Sequence, residues 1–373
     1  MRVALVGVHG HGRQHLADLD DRHRRGTLEL AALCDVRSPA PDGLAATPTP
    51  YTDVDTMVAD ARPDVVVIAT PPATHLPIAS AALRAGADVL LEKPPVLSLA
   101  EHAALAAVVA ETGRSCQIGF QSLASPALAD LRAAIGSGAI GRVTGVAATG
   151  RWVRTDGYYR RAAWAGRRTL RGRPTADGAL TNPFAHAVMN CLALVGDAPT
   201  GATLELYRAR PDIETDDTSC LTLTGADVRC VVAVTLCAVD HLPPRIRVYG
   251  TNGRADLEYN TDRVRLPGGE WRAVPGRPAL LDNLLAHRAD RGVPLLAPLS
   301  ATATFTSVLA AVGAAPVHPV PAGFVTSYGG GDDRRLVLAG VDDAIETAAD
   351  RLVGFADQGV AWAGAPPTHV ALG

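Results

Sequence analysis

Short apolar runs alternate with stretches of helical periodicity over the first 120 residues of the chain. Such alternation is typical of β-α-β units and predicts a doubly wound parallel sheet. The predicted strands are Val3–Val6, Leu28–Cys34, Val65–Ala69, Val89–Leu91 and Ser115–Ile118. The predicted helices are Gly12–Asp21, Thr74–Ala85 and Leu99–Glu111.

The pattern changes after residue 142, where alternating strand-like runs become dominant. They predict an α+β domain with an open, mostly antiparallel sheet. The predicted strands are Val143–Trp152, Ala202–Arg208, Ser219–Thr224, Arg229–Leu236, Arg245–Tyr249 and Ala255–Tyr259. The predicted helices are Gly178–Val195, Leu280–Arg288, Ser300–Val312 and Val341–Phe355. We expect two domains, 1–121 and 122–373. This division allows the C-terminal helices of the second domain to pack back on the first domain.

Composition and charge narrow the function classes. Apolar residues make up 47% of the 373 residues and charged residues 20%, which fits two folded cores and excludes a wholly disordered chain. The net charge of −3 gives no sign of nucleic-acid binding. No apolar run reaches the roughly 18 residues of a membrane span, and the N-terminus lacks a signal-peptide layout. A cytoplasmic protein with no membrane partner is expected.

The cysteine and acidic residues suggest no metal. The six cysteines contain no C-x-x-C pair and lie mostly in apolar segments, so buried free thiols are expected rather than disulfides or zinc ligands. Asp216-Asp217 has no histidine cluster nearby and is interpreted as a solvated turn.

A glycine turn, Gly7-Val8-His9-Gly10-His11-Gly12, joins the first predicted strand to the first predicted helix. In this context glycines let a pyrophosphate approach the helix N–H groups at the positive end of the helix dipole. The order is G-x-x-G-x-G rather than the usual G-x-G-x-x-G. An ordinary glycine loop is therefore the alternative to a dinucleotide site.

Asp35 follows the second predicted strand, where a carboxylate accepts hydrogen bonds from the adenosine ribose of NAD. It repels the 2′-phosphate of NADP, whereas Arg37 would bind that phosphate. NAD is the expected cofactor and NADP stays open. The alternative for Asp35 is an ordinary turn residue at a strand end.

Four sets of residues occur in a fixed order along the chain: Gly7, Gly10, Gly12 and His15; Ala69-Thr70-Pro71-Pro72-x-x-His75; Glu92-Lys93-Pro94; and Gly119-Phe120-Gln121. Together they resemble the glucose-fructose oxidoreductase/inositol dehydrogenase family, written Gfo/Idh/MocA. The likeness covers most of the chain, and the E-K-P element is its most specific part.

The resemblance implies a nicotinamide-binding Rossmann domain, followed by an α+β domain whose open sheet packs against a partner subunit. A homodimer or homotetramer is therefore expected. The resemblance also implies that Lys93 lies near the nicotinamide and the reacting carbinol. By position, Thr70, Pro71, His75 and Glu92 belong to the cofactor site, and Gln121 belongs to the substrate site.

Lys93 also has a chemical reason for this role. Removing hydride from a carbinol carbon requires that the hydroxyl proton be taken or the alkoxide be stabilised, and a cation does this best in a dry site. Positive charge on an oxidised nicotinamide disfavours the protonated amine, which helps Lys93 exchange a proton. The alternative is a solvated surface lysine.

Family members carry an aspartate and a histidine as D-x-x-x-H, and this chain has Asn182-Pro183-Phe184-Ala185-His186. The resemblance makes His186 the catalytic histidine, with Asn182 in place of the aspartate. We expect the two side chains on one face of the helix Gly178–Val195. A core histidine is the alternative for His186.

The segment 151–167 is rich in arginine and aromatic residues, which suit the C–H faces and hydroxyl edges of a sugar. Tyr159, Arg160 and Trp164 are the candidates for substrate contact. A loop that packs on a partner subunit is one alternative, and an RNA-binding patch, which the net charge disfavours, is the other.

The leading hypothesis is an NAD(P)-dependent oxidoreductase acting on a secondary alcohol or ketone of a sugar, cyclitol or related polyol. One alternative keeps the fold but uses transient oxidation to eliminate a glycosidic bond, with no net cofactor turnover. The other alternative is a sensor protein that binds the cofactor and catalyses no reaction.

Overall fold

The computed structural model describes residues 1–37, 43–196 and 198–373, which form two compact units. The first comprises Met1–Gln121 with Pro278–Thr306, and the second comprises Ser122–Arg277 with Ser307–Gly373. Residues 278–306, assigned from sequence to the second domain with allowance for a return, pack with the first unit.

The first unit contains a six-stranded parallel sheet in the order β3-β2-β1-β4-β5-β6, so the predicted Rossmann sheet is confirmed. Its strands up to residue 121 are β1 Arg2–Val6, β2 Glu29–Cys34, β3 Thr49–Tyr51, β4 Val65–Ile68, β5 Asp88–Leu91 and β6 Cys116–Ile118. The helices are α1 Gly12–Arg24, α2 Val54–Ala61, α3 His75–Arg84 and α4 Leu99–Thr112.

Strand β3 and helix α2 were not predicted. The helix has a recognisable start, because the Asp53 side chain accepts a hydrogen bond from the Thr56 N–H at 2.8 Å. Its apolar face is only Met57, Val58 and Ala61, too short for periodicity to reveal.

Residues 122–277 supply most of the second unit. The helices there are α5 Pro126–Gly136, α6 Asp156–Arg160 and α7 Ala185–Leu192. The strands are β7 Val143–Arg151, β8 Thr169–Leu170, β9 Arg173–Pro174, β10 Gly201–Arg208, β11 Thr218–Thr224, β12 Arg229–Thr235, β13 Arg245–Gly250, β14 Gly253–Glu258, β15 Arg263–Arg265 and β16 Arg272–Ala273.

The last hundred residues complete both units. Their helices are α8 Leu280–Ala289, α9 Ala303–Ala314 and α10 Val341–Arg351. Their strands are β17 His318–Pro319, β18 Val325–Tyr328, β19 Arg335–Leu338 and β20 Thr368–Ala371. Short 3₁₀ helices lie at Pro72–Thr74, Gln121–Ala124, Leu299–Thr302, Ala322–Phe324, Gly331–Asp333 and Ala356–Gln358.

The returning segment covers the open edge of the Rossmann sheet at β6. The Ile118 N–H donates to the Ala297 carbonyl at 2.8 Å, and the Ala297 N–H donates to Oε1 of Gln117 at 3.0 Å. Nε2 of Gln117 donates to the Leu280 carbonyl at 2.8 Å. These bonds satisfy an edge that would otherwise template aggregation.

The second unit is built on a ten-stranded sheet in the order β16-β15-β14-β13-β7-β12-β11-β10-β17, with β20 also paired to β10. Only the pairs β7–β12 and β10–β17 are parallel, so the mostly antiparallel sheet is confirmed.

The central strands of this sheet are covered on both faces by the chain itself. Helix α7 packs against β12, where Cys191 lies beside Cys230. The neighbouring Val231 belongs to a buried cluster with Ile345 and Ala348 of α10. Because successive residues of a strand point to opposite faces, α7 and α10 pack on opposite sides.

The packing of α10 on the sheet removes one reason for expecting a partner subunit. The sequence analysis assumed an uncovered sheet face, but over β7 and β12 that face is filled by α10. Homodimer or homotetramer formation stays a prediction.

Asp216 and Asp217 do not lie in a solvated turn, as the sequence analysis expected. Both are buried. Asp217 accepts hydrogen bonds from the Ala209 and Arg210 N–H groups at 2.9 Å. Burial raises its pKa to about 6 despite these bonds. Asp217 therefore ties the end of β10 to the start of β11.

Candidate functional site

The glycine turn closes tightly on the start of α1. Gly7 has a φ of +87°, and a Cβ there would lie 2.7 Å from the Ala69 carbonyl oxygen. A Cβ on Gly12 would lie 1.8 Å from the Gly7 carbonyl oxygen. Only glycine fits at these positions, and the cradle therefore suits a dinucleotide pyrophosphate at the helix N-terminus. His9 and Gly10 complete the turn.

Asp35 lies directly beside this turn. Its Oδ2 accepts a hydrogen bond from the Val8 N–H at 3.1 Å, and its Oδ1 accepts one from the Arg37 N–H at 3.1 Å. The Arg37 side chain is largely exposed, and its Nε lies 3.9 Å from Oδ1 of Asp35. The structure thus brings both predicted ribose-end residues to the cofactor turn.

Glu92 fastens the end of β5 to the first turn of α1. Its Oε1 lies 2.8 Å from Nε2 of His15 and 3.3 Å from Nε2 of His11. Burial alone would raise the pKa of the Glu92 carboxyl, but hydrogen bonds from His11 and His15 hold it well below its usual range. The bond to Glu92 in turn raises the pKa of His11.

These three side chains also place their ligand atoms within 4.8 Å of one another, as a two-histidine, one-carboxylate metal site does. The sequence analysis expected no metal and did not foresee this cluster. The direct hydrogen bonds already satisfy the carboxylate, so the geometry is accounted for without an ion.

Lys93 follows Glu92 and is the only lysine in the sequence. Its backbone N–H donates to Oε2 of Glu92 at 3.2 Å, and the Lys93–Pro94 peptide bond is cis. The Lys93 side chain is half-buried. The sequence's one amine side chain therefore leaves the C-terminal end of a Rossmann strand, the edge where such sheets bind their ligands.

His75, expected in the cofactor site, is fully buried and acts as a brace. Its Nδ1 lies 3.0 Å from the Pro94 carbonyl oxygen, and its Nε2 lies 2.8 Å from the Thr70 carbonyl oxygen. Burial lowers its pKa. His75 thus ties the Thr70-Pro71 turn to the segment after Lys93, and its fully buried ring supports the predicted cofactor site through that turn.

In the second unit, His186 is half-buried and oriented by two residues that the sequence analysis missed. Its Nδ1 shares a hydrogen bond with Oγ of Ser122 at 3.1 Å. Asn190 donates to that same Oγ at 2.8 Å and to the His186 carbonyl at 2.7 Å. The sequence spacing could have revealed Asn190, because it lies one helical turn after His186.

Asn182 does not lie on the helix with His186, as had been expected. Helix α7 begins only at Ala185, and residues 178–184 form turns. The physical reason is Pro183, which lacks an N–H and disfavours helical geometry at the residue before it.

Asn182 is instead held by Asp177, a carboxylate that the sequence analysis overlooked. Nδ2 of Asn182 donates to Oδ1 of Asp177 at 2.6 Å, and the Gly166 N–H donates to Oδ2 at 2.6 Å. A guanidinium nitrogen of Arg161 lies 3.6 Å from Oδ1. The Asp177 side chain is fully buried. The chain thus keeps a carboxylate near this position, five residues earlier in sequence.

The structure places the predicted substrate contacts in different surroundings. Tyr159 is buried beneath Arg210, whose guanidinium carbon lies 4.5 Å from the ring centre, so the expected substrate contact does not fit its burial. Arg160 is exposed and ion-paired to Asp332 at 2.5 Å. Trp164 is 36% exposed. In the first unit, Gln121 is exposed at the start of a 3₁₀ helix.

Two parts of the chain match models of known protein families. Residues 1–120 match the model of the GFO/IDH/MocA oxidoreductase family, described as an NAD-binding Rossmann fold, and residues 128–256 match the model of the GFO/IDH/MocA C-terminal domain. The chain belongs to the Gfo/Idh/MocA family. It is therefore an oxidoreductase whose first unit is an NAD-binding Rossmann domain.

Two relatives are similar over different shares of the chain. The scyllo-inositol 2-dehydrogenase (NAD(+)) of Bacillus subtilis is 42% identical over 79 residues, 21% of this chain. That match spans 23% of the Bacillus subtilis enzyme. The uncharacterized oxidoreductase YdgJ of Escherichia coli is 24% identical over 270 residues, 70% of this chain and 75% of that protein.

Solved structures share the Gfo/Idh/MocA fold over most of the chain. The WlbA dehydrogenase of Bordetella pertussis, in complex with NADH and UDP-GlcNAcA, covers 84% of this chain and 95% of its own. Its TM-score is 0.69 at 23% identity. Within the described ranges, no helix combines the length and apolar character that crossing a membrane requires.

Proposed function

We propose that the protein is an NAD-dependent dehydrogenase or ketoreductase for a secondary alcohol or ketone of a sugar, cyclitol or related polyol. The observation that carries this proposal is the position of Lys93. Glu92 beside it is hydrogen-bonded to His15 in the first turn of α1, at the cofactor cradle. The names of the similar inositol dehydrogenases favour a polyol substrate.

The chemistry divides between the cofactor and the chain. Bound nicotinamide supplies the hydride acceptor or donor. Lys93 stabilises the charge that develops on the substrate oxygen, and His186 takes the hydroxyl proton in oxidation and returns it in reduction. Ser122 fixes the imidazole ring of His186 through its Nδ1.

We infer that NAD is preferred over NADP. The Asp35 carboxylate already accepts N–H groups from Val8 and Arg37, and its remaining lone pairs suit the two ribose hydroxyls. A 2′-phosphate placed there would meet a negative charge. The exposed Arg37 is the one feature that favours NADP.

The first experiment is calorimetric titration of NAD(H) and NADP(H) separately. A panel of polyols and keto-sugars is then screened with the preferred cofactor at the nicotinamide absorbance band. Turnover supports the proposal. Product release without an absorbance change would favour glycoside elimination, and cofactor binding without either would favour a sensor.

Variants at Lys93 give the sharper test. Lys93→Ala is expected to abolish turnover while keeping most of the affinity for NAD. Lys93→Arg keeps the positive charge but exchanges a proton poorly, so it separates electrostatic stabilisation from proton transfer. Full activity of Lys93→Ala would refute the assignment.

A further inference from the structure

An alternating stack of aromatic rings and guanidinium groups runs through the second unit. We call it the aromatic–arginine stack, and its members are His241, Trp152, Arg154, Tyr158, Arg161 and Trp164. The guanidinium carbon of Arg154 lies 4.7 Å from the Trp152 ring centre and 4.6 Å from the Tyr158 ring centre. That of Arg161 lies 3.4 Å from Tyr158 and 4.8 Å from Trp164.

Arg154 differs from the other arginines of segment 151–168. Four of them, Arg151, Arg160, Arg161 and Arg167, are ion-paired to carboxylates. Arg168 donates to the Val312 and Ala315 carbonyls. For Arg154, no carboxylate within the described residues lies at ion-pair distance, and the one hydrogen bond of its side chain is to the Val153 carbonyl at 3.5 Å.

The stack also holds two buried N–H donors that lack an acceptor among the described residues: Nε of Arg154 and Nε1 of Trp152. Arg154 as a whole is half-buried, so part of the guanidinium reaches solvent. A buried unpaired donor and an uncompensated charge are both costly in a folded protein. An incoming anion would satisfy both.

The stack touches the Asn182–His186 segment directly at Phe184 and reaches it a second time through Asp177. The Trp152 ring centre lies 4.6 Å from that of Phe184, two residues before His186. At the other side, Arg161 approaches Asp177, which holds Asn182. Arg154 therefore lies between two contacts to the segment that carries the candidate catalytic histidine.

We propose that Arg154 binds a negatively charged group of the substrate, a carboxylate or a phosphate on the sugar or polyol. The inference rests on the proposed function, since it names the substrate class of that same site. The planar guanidinium matches either oxyanion geometry, and the flanking rings fix its plane. Burial, and after it the positive charge of Arg154, lowers the pKa of His241, which favours the neutral form of this ring beside the stack.

The test compares matched sugars on the protein saturated with NADH. Glucose is paired with glucuronate and galactose with galacturonate, and glucose 6-phosphate distinguishes a phosphate from a carboxylate. Calorimetry measures their affinities in the wild type, in Arg154→Gln and in Arg167→Gln, an exposed arginine paired with Glu214. Binding is measured apart from turnover, so the two proposals can fail separately.

We expect an anionic sugar to bind the wild type about 10- to 100-fold more tightly than its neutral partner. Arg154→Gln should abolish that preference, and Arg167→Gln should keep it. Rising salt should weaken the preference. Equal affinities for every neutral and acidic pair in the wild type, or an unchanged preference in Arg154→Gln, would overturn the assignment.

Turnover separates the outcomes. Oxidation of neutral sugars without any preference for acids would refute the role of Arg154 and leave the dehydrogenase proposal intact. Anion-selective binding without turnover of any polyol would support the role of Arg154 and refute the dehydrogenase proposal. Arg154→Gln must retain the wild-type NADH affinity and unfolding midpoint, and Arg154→Lys, which keeps the charge, should recover part of the preference if the variant folds.

Discussion

Asn182 donates its amide N–H to the buried carboxylate of Asp177 across 2.6 Å. A carboxylate accepts hydrogen bonds and does not donate them, so this contact fixes which way round the amide lies. The acceptor oxygen of Asn182 is thereby given a defined direction.

Asp177→Ala should lower kcat roughly 10- to 100-fold, because the amide loses its orientation. It should also cost about 1–3 kcal/mol of unfolding free energy, since the Gly166 N–H loses its acceptor. Steady-state kinetics and thermal unfolding measure the two effects separately. Glu214→Gln, at an exposed ion pair, is the matched control. Unchanged kcat in a folded Asp177→Ala protein would exclude a positioning role.

Ser122→Ala should change the pH profile of turnover. The variant removes the partner of Nδ1 of His186, so the ring loses its orientation and the electrostatic environment that sets its protonation. We expect kcat/KM to fall roughly tenfold, with a displaced pH dependence. Ser137→Ala, at an exposed helix end, should leave the profile unchanged. A profile that only scales down, with no displacement, would point to a structural role for Ser122.

Gly12→Ala should prevent NAD binding. The added methyl group would overlap the Gly7 carbonyl oxygen, and the turn would have to open by more than a side-chain adjustment allows. Calorimetric titration with NADH should give no measurable heat. Gly136→Ala lies at a helical position with no atom within 4 Å of the new Cβ, so that variant should bind like the wild type. Wild-type affinity in Gly12→Ala would place the pyrophosphate elsewhere.

The His11–His15–Glu92 cluster predicts a window of pH-dependent stability. The pKa of Glu92 is lowered from its ordinary 4.5, so its contribution is present above that pH and is lost as pH falls. The pKa of His11 is raised from 6.5, so its contribution is present below that pH and is lost as pH rises.

The unfolding midpoint of Glu92→Gln should therefore differ most from that of the wild type between these two values. Thermal unfolding across pH measures the difference. Glu270→Gln, at an exposed carboxyl, should follow the wild type throughout. A Glu92→Gln difference that does not vary with pH would mean that the cluster does not titrate as a unit.

Because the sequence contains one lysine, Lys93 can be observed alone. Protein labelled with lysine that carries ¹³C only at Cε should give a single side-chain resonance, which Lys93→Arg removes. Adding NAD should shift that resonance, because the nicotinamide brings a positive charge near the amine. Gly12→Ala should abolish the shift. A resonance that does not respond to saturating NAD would separate Lys93 from the nicotinamide.

Periodicity predicted the strands that are buried on both faces, such as β4 and β5, because their apolar runs are continuous. Periodicity predicted a wrong structure where hydrogen bonds to a distant residue hold the backbone in turns. The apolar residues 178–184 look helical, yet the Ala179 N–H donates to the Asp216 carbonyl and the Leu180 N–H to its carboxylate. No local pattern encodes a partner 36 residues away.

Motif spacing predicted a set of cofactor residues but could not rank their roles. His75 fits the motif and is buried, whereas Ser122 lies one residue after a recognised motif and contacts His186. Arg154 was noticed only as one member of an arginine-rich segment. Its lack of an ion-pair partner is a property of the folded chain alone, because the partners of the other arginines lie far away in sequence.

The edge strand β6 has a consequence for synthesis and for fragments. Its hydrogen bonds are completed by Ala297, and the unit to which it belongs closes only at residue 306 of 373. During synthesis, residues 122–277 therefore leave the ribosome before residues 278–306, which the nucleotide-binding unit needs to be complete. A protein truncated at residue 121 would present a bare strand edge to its neighbours, and the two units cannot be separated by a single cut.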